Sequence, residues 1–370
     1  MNRPSSRAGS DRWVLVTDGG HGASRDCVAA VRALHTAGFR AAVTVSRRTP
    51  LARPSRYAER WIDVPGVLEP GYRGAIQAEV ERHPYVTVLP ASEPAFLALT
   101  VPTPELVDKA VLYEAARRAG LAVPPWRSCG SPEEIRAAAM EFGYPVVVKP
   151  VVRHSAAAFV SDPARLEGAV FAAGPTIVQK YLSDGLRAIS GVLRGGRPAA
   201  VVHERWLRIW PRRCGLASAA VTTAPDLETE ARLLDLLRGY EGIFVAQLAG
   251  AHLIDLNLRV GSTHALAVAA GTNLVGIHCD LASGAHAPER PLRSREGVRF
   301  RWLEGDLRSL SSAVLAGDEG PVSAGRDFLG LRPSAHGTES LSDPGPMLSR
   351  ALLAAARAPA RLGSRIRGDG

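Results

Sequence analysis

Residues 252 to 262 read HLIDLNLRVGS and alternate strictly. On a strand, Ile254, Leu256 and Leu258 face one side and Asp255, Asn257 and Arg259 the other, about 7 Å apart from one to the next. An acid, an amide and a guanidinium in a row make either a solvated face or a site for a hard cation beside an anion. Carboxylate and carboxamide oxygens suit magnesium. A planar guanidinium fork suits an anion. Counting back across the hairpin, with the turn centred on Ala251, sets Gln247 opposite Asp255 on the same face.

Lysine usage adds a second signal. The chain holds only Lys109, Lys149 and Lys180, and its other 42 basic residues are arginine. A lysine is a compact ammonium on a flexible stem, so positions kept as lysine suit a point charge. Chance clustering is the competing explanation. The histidines His21, His35, His83, His264 and His278 show no metal-ligand spacing, and no nucleophile-elbow motif is present.

The elements that must carry these residues follow from patterning. With 370 residues, 46% hydrophobic and 22% charged, the chain reads as a globular protein of two or three domains. No apolar run is long enough to span a membrane. The opening MNRPSSRAGSDR lacks the apolar core of a secretory signal, so a cytoplasmic location is expected. Cys27, Cys129, Cys214 and Cys279 lie too far apart for a zinc or disulfide framework. The formal charge of +9 comes from scattered arginines, which reads as an arginine-rich solvated surface rather than a nucleic-acid face, and an anionic small-molecule substrate also fits.

Residues 12–100 alternate strand and helix, which predicts a parallel sheet with helical crossovers. The turn Asp18 to Ser24 is not a clean dinucleotide fingerprint. A helix is expected over 101–120, with Thr103 as N-cap and Gly120 beyond its end. A second carries a Ser131/Glu134 capping box and stops at Gly143. The runs YPVVVKP, AAAFVSD and TIVQKYLS make a compact α+β module. From 186 onward the pattern is antiparallel, with a hairpin turn at Gly195-Gly196 and another at Gly250-Ala251. The boundaries expected are 12–100, 101–185, 186–330, and a mobile Arg/Gly/Pro-rich tail over 331–370, apart from a helix near 346–357.

In this order, DKAVLYEAARRAGLAVPPW, YPVVVKP, IVQKYL, AVTT, FVAQLAGAHLIDLNLRVGS and FRWLEGDLR resemble the ATP-grasp superfamily. The likeness is to its carbamoyl-phosphate-synthetase-like and carboxylate–amine ligase members. It implies an α/β pre-ATP-grasp domain with a parallel sheet, then an α+β ATP-grasp fold made of a small lid module and an antiparallel sheet. It further implies ATP and Mg²⁺, or Mn²⁺ in its place, as cofactors. The metal ligands would be Gln247, Asp255 and Asn257, with Asp where the family usually has Glu. Arg259 and Lys149 would be catalytic, neutralising the γ-phosphate or an acyl phosphate. Lys109, Lys149, Ser155, Gln179, Lys180, Tyr181, Leu182 and Asp184 would bind the nucleotide. The activity implied joins a small-molecule carboxylate to an amine, in a protein that binds neither nucleic acid nor membrane and is compatible with a homodimer.

Two departures stand out. The loop after Lys149-Pro150, VVRHSAAAF, has no glycine, which disfavours a backbone phosphate nest and leaves the side chains of Arg153, His154 and Ser155 available for phosphate contacts. The hinge reads Gln179-Lys180-Tyr181 where Gln-Glu-Tyr is usual, and Arg187 stands near the position of an acid that holds ribose. These departures motivate the alternative of a non-catalytic, regulatory nucleotide-binding protein. Arg205, Arg208, Arg212 and Arg213, interleaved with Trp206 and Trp210, are either a carboxylate clamp or an amphipathic hairpin. FRWLEGDLRSL reads as a packing element.

Overall fold

The computed structural model describes residues 12–17, 25–46, 51–101, 104–152, 157–167 and 174–352. Four parallel strands form the first sheet, in the order Ala58–Asp63, Arg40–Val45, Trp13–Thr17, Tyr85–Pro90. Their apolar runs are buried because the crossovers return as helices, among them Arg25–Thr36. The turn Asp18 to Ser24 lies outside the described residues.

The lid module is a four-stranded antiparallel sheet ordered Trp126–Cys129, Thr176–Lys180, Val146–Pro150, Ala158–Val160. The helix Pro132–Phe142 covers it and closes a small core with Val146, Val148 and Val178. Ser131 Oγ accepts from Glu134 N at 3.2 Å, while the Glu134 carboxylate accepts from Gly130 N at 2.6 Å. The capping box is therefore met one residue early.

The helix entering this module is shorter than its pattern implies. It runs Lys109–Arg118 after a single 3-10 turn, Glu105–Val107. Its N-cap is Asp108, whose Oδ1 accepts from Ala110 N and Val111 N, and Thr103 lies outside the described residues. An acid that bonds two free N–H groups wins the cap position.

The third sheet has eight strands and holds the functional residues. Its main path is His252–Asn257, Gly242–Ala249, Leu186–Arg194, Arg197–Trp210, Leu216–Thr222, Arg299–Arg301, Ala335–His336. The turn at Gly195 and Gly196 has φ 59° and 72°, a pair of left-handed conformations matched to the strand twist. One core joins this sheet through Val192, Ala199 and Val202 to Val28, Val31 and Leu34 of the first domain, and Ile189, Phe244 and Leu256 contribute to another with Leu112 and Tyr113. The antiparallel sheet is thus the common floor on which the other elements are positioned.

Residues 331–352 correct the expectation of a mobile tail. Ala335–His336 extends the large sheet. Residues 345–352 are helical, overlapping the helix expected near 346–357. Asp343 is fully buried and accepts from Arg32 Nε and Ser55 Oγ, each at 2.8 Å, and from Arg56 N at 2.9 Å. A Gly/Pro/Ser composition does not reveal anchors that belong to another domain. Replacing Asp343 by alanine removes the counter-charge of Arg32, which keeps the carbonyls of Gly337 and Thr338, and is expected to cost about 3 kcal/mol. Urea unfolding of that variant checks this; a midpoint unchanged from wild type would make the docking incidental. Residues 353–370 lie outside the described set.

Candidate active site

The strand His252–Asn257 pairs with Gly242–Ala249, and Gln247 does lie opposite Asp255. The route differs from the simple count. Leu248 pairs with Leu253, and the register then shifts, so Ile254 is the extra residue of a bulge. The bulge breaks the expected alternation. Leu253, Leu256 and Leu258 enter the core, whereas Ile254 and Asp255 both line a cavity. It also frees a carbonyl from the ladder. Ile254 O accepts from Lys149 Nζ at 2.7 Å and lies 2.9 Å from the Tyr113 hydroxyl.

Lys149 is the fourth residue of Val146–Pro150 and is only 7% exposed. A buried ammonium needs acceptors, and here Tyr113 Oη, at 2.8 Å, is the second. The Tyr113 O–H donates to Gln179 Oε1 at 2.6 Å. Burial first, and then the Asp255 charge, hold the Tyr113 phenol well above its ordinary pKa, so it stays a donor. Lys109 opens its helix with Nζ 3.5 Å from Asp255 Oδ1. Two lysines, one acid, one phenol and one amide from four elements therefore converge.

The cavity they line has a volume of about 450 Å³, within the range of small-molecule sites. Val147, Tyr181, Leu182 and Trp206 give it apolar walls, and Lys109, Lys149, Gln247 and Asp255 a charged end. That division suits a ligand with a flat apolar part and an anionic tail.

Several expected residues stand elsewhere. Arg259 follows the strand rather than lying on it, and its Nη1 donates to Asp26 at 2.7 Å. Asn257 links it to the acid, with Nδ2 3.1 Å from Asp255 Oδ2 and Oδ1 3.4 Å from Arg259 Nη2. Lys180 turns away from the cavity: its Nζ donates to Gly143 O at 2.7 Å and its backbone N to Pro125 O at 2.9 Å. Asp184 borders a neighbouring hollow beside the Gly250 turn. Ser155, with Arg153 and His154, lies outside the described residues. Of the hairpin arginines, Arg208 is bound bidentately by buried Asp306 at 2.6 and 3.0 Å, Arg212 donates to Asp318, Arg205 is exposed, and Arg213 lines the cavity. Tyr113, Arg25 and Trp302 also line or support the cavity and were not singled out from the sequence. Tyr113 lies four residues after Lys109, a same-face spacing that marks it.

The donor set fits a hard cation. Asp255 and Gln247 offer a carboxylate and a carboxamide side by side, and Asn257 is bonded to the same acid. No group of three His, Cys, Asp or Glu exists among the described residues, so a soft or multi-carboxylate metal is not matched. As oriented, Asn257 turns its nitrogen to Asp255, so metal contact through its oxygen requires the amide to turn over.

Trp206 in the cavity wall is fixed by Glu204, which accepts from its Nε1 at 2.8 Å. Burial pushes the Glu204 carboxyl up to about 7, with hydrogen bonds from Trp206 and Thr263 opposing it. A folded pKa above the ordinary 4.5 means that its stabilising contribution is complete below about pH 4.5 and is lost as pH rises through 7. Glu204→Gln is expected to flatten the loss of stability between pH 5 and 8 by about 3 kcal/mol. Denaturant titrations of both proteins at the two pH values test this; parallel curves would mean Glu204 does not titrate there.

No protein-family model matches the chain. The carbamoyl phosphate synthase large chain of Thermotoga petrophila is 25% identical over 223 residues, covering 53% of this chain and 20% of that relative. The match thus spans about a fifth of the relative's length. Among solved structures, the biotin carboxylase domain of Hydrogenobacter thermophilus 2-oxoglutarate carboxylase superposes with a TM-score of 0.57 at 16% identity, over 78% of this chain and 73% of that one. It was solved as a dimer with MgADP, ADP and bicarbonate. The L-amino acid ligase of Bacillus licheniformis gives 0.54 at 14% identity, over 76% and 78%. The chain has the ATP-grasp fold. The parallel sheet is its pre-ATP-grasp domain, and the lid and eight-stranded sheets are the two sides of the grasp. Among the described residues no helix of this ATP-grasp chain is long and apolar enough to cross a membrane.

Proposed function

We propose that this ATP-grasp protein is an ATP-dependent ligase that activates a carboxylate as an acyl phosphate and joins it to an amine. The observation that carries the reading is the convergence of Lys109, Lys149, Gln247 and Asp255 at one end of a cavity with apolar walls. ATP would lie with its base against Val147, Tyr181 and Leu182 and its phosphates toward the two lysines. Gln247, Asp255 and, after an amide turn, Asn257 would hold Mg²⁺ or Mn²⁺, which supplies charge neutralisation to the phosphates. A substrate carboxylate oxygen attacks the γ-phosphorus, the bond to the bridging oxygen breaks, and ADP leaves. The amine nitrogen then attacks the acyl carbon, loses a proton, and expels phosphate.

The chain's own work is positioning and charge. Lys149 is held by Tyr113 and Ile254 O with its ammonium at the cavity wall. Lys109 is steered by Asp255. Arg259 would reach the phosphates only by leaving Asp26. That ion pair, at 2.7 Å, favours a second reading in which nucleotide binds without turnover.

One experiment separates the two. Purified protein is given Mg-ATP, a panel of carboxylic acids and hydroxylamine as a general amine. Carboxylate-dependent ADP release with equimolar hydroxamate is the expected result. Nucleotide binding with no ADP release for any acid would favour the non-catalytic reading.

A further inference from the structure

Arg25 opens the helix Arg25–Thr36 in the first domain, yet it lines the same cavity as Lys149 and Asp255. It is 8% exposed, and neither Nη1 nor Nη2 has a hydrogen-bond partner among the described residues. Its guanidinium lies 3.7 Å over the Trp302 ring. The ring is itself seated against backbone: a Cβ on Gly305 would meet it at 2.1 Å. Two of the acids around Arg25 are committed elsewhere. Asp26 holds Arg259 at 2.7 Å, and Glu304 holds Arg350 at 2.7 and 3.1 Å. Glu339 accepts from Thr338 at one oxygen, leaves Oε2 without a partner among the described residues, and acts with Glu304 on Arg25 through charge alone, while Arg350 opposes them. Burial lowers the Arg25 pKa to about 10, which leaves it cationic at neutral pH.

A buried guanidinium without a hydrogen-bond partner is costly to a fold. With one face against an indole, it presents N–H groups only at its edge, the geometry that takes a carboxylate bidentately. The reacting carboxylate belongs at the Lys109, Lys149 and Asp255 end. We infer that Arg25 and Trp302 form a subsite for a second carboxylate, one that is not phosphorylated in the reaction. This deepens the ligase reading and rests on it: one of the two substrates carries a spectator carboxylate. The source is either an amino acid acting as the amine or a dicarboxylate acting as the donor.

The test is thermal unfolding of wild type, Arg25→Ala and Arg25→Lys, with and without Mg²⁺ and a non-hydrolysable ATP analogue. The probes are the common L-amino acids, the linear dicarboxylates malonate to adipate, the amide or monoamide of each, and inorganic phosphate. At least one acid should protect wild type at a tenfold lower concentration than its amide, and the series in which it falls names the source. Arg25→Ala should lose that preference and Arg25→Lys retain part of it, while all three keep the same nucleotide shift. An acid-over-amide preference that survives in Arg25→Ala overturns the subsite. So do equal protection by phosphate and the absence of any acid preference in wild type. Failure of the nucleotide shift in wild type would sink the ligase reading instead, and the probes without nucleotide still report on Arg25.

Discussion

Asp255→Asn is expected to reduce Mg-ATP-dependent ADP release by about a thousandfold or more. The substitution keeps the size of the side chain and removes its charge. Asp255 is the carboxylate lining the charged end of the cavity, between Gln247 on the paired strand and Lys109 at 3.5 Å. Loss of one preorganised charge at a phosphoryl-transfer site is worth on the order of 4 kcal/mol in the barrier, which gives the stated factor. The fold should suffer less. Lys109 is 5% exposed and would lose its counter-charge, so a stability loss of about 2 kcal/mol is expected. A coupled ADP-release assay on folded variant measures the first, and denaturant unfolding the second. Activity within tenfold of wild type would remove Asp255 from the metal set.

Lys149→Met should separate activity from stability. The ammonium is buried and bonds Tyr113 Oη and Ile254 O, so it is held in place by the bulge and by the helix Lys109–Arg118. Methionine fills the same stem volume. Tyr113 keeps Gln179 as acceptor at 2.6 Å. A buried ammonium carries a desolvation cost that methionine removes. The melting temperature is therefore expected to hold or rise, while ADP release falls by about a hundred- to a thousandfold. A melting temperature several degrees lower would instead make Lys149 a structural tie between lid and sheet. A Tyr113→Phe variant gives an intermediate result, since Lys149 keeps Ile254 O.

The sequence carried the element order and the pairing of Gln247 with Asp255, because both depend on local periodicity and glycine turns. The Gly195-Gly196 hairpin was legible for the same reason. The bulge was not, since an alternating pattern looks the same whether or not one residue is extra. Its consequence, Ile254 facing the cavity with a free carbonyl, therefore had no sequence signal. Arg259 was expected at the phosphates from its place in the alternation, but its ion pair with Asp26 joins two domains. Partners separated by more than two hundred residues are fixed by docking, which periodicity does not encode. The same holds for Asp343 with Arg32 and for Arg208 with Asp306. Arg25 was missed because a lone arginine at a helix start is ordinary; only its burial, with no hydrogen-bond partner for Nη1 or Nη2 among the described residues, marks it.

The most direct test of the account is thermal unfolding of the purified protein with ATP alone, Mg²⁺ alone and both together. Binding at about 100 times the dissociation constant should stabilise the protein by roughly 2.7 kcal/mol. The account predicts a clear rise in melting temperature that needs both components and is lost in Asp255→Asn. An unchanged melting temperature with both at millimolar concentration, or an ATP shift that persists in a chelator, would contradict it.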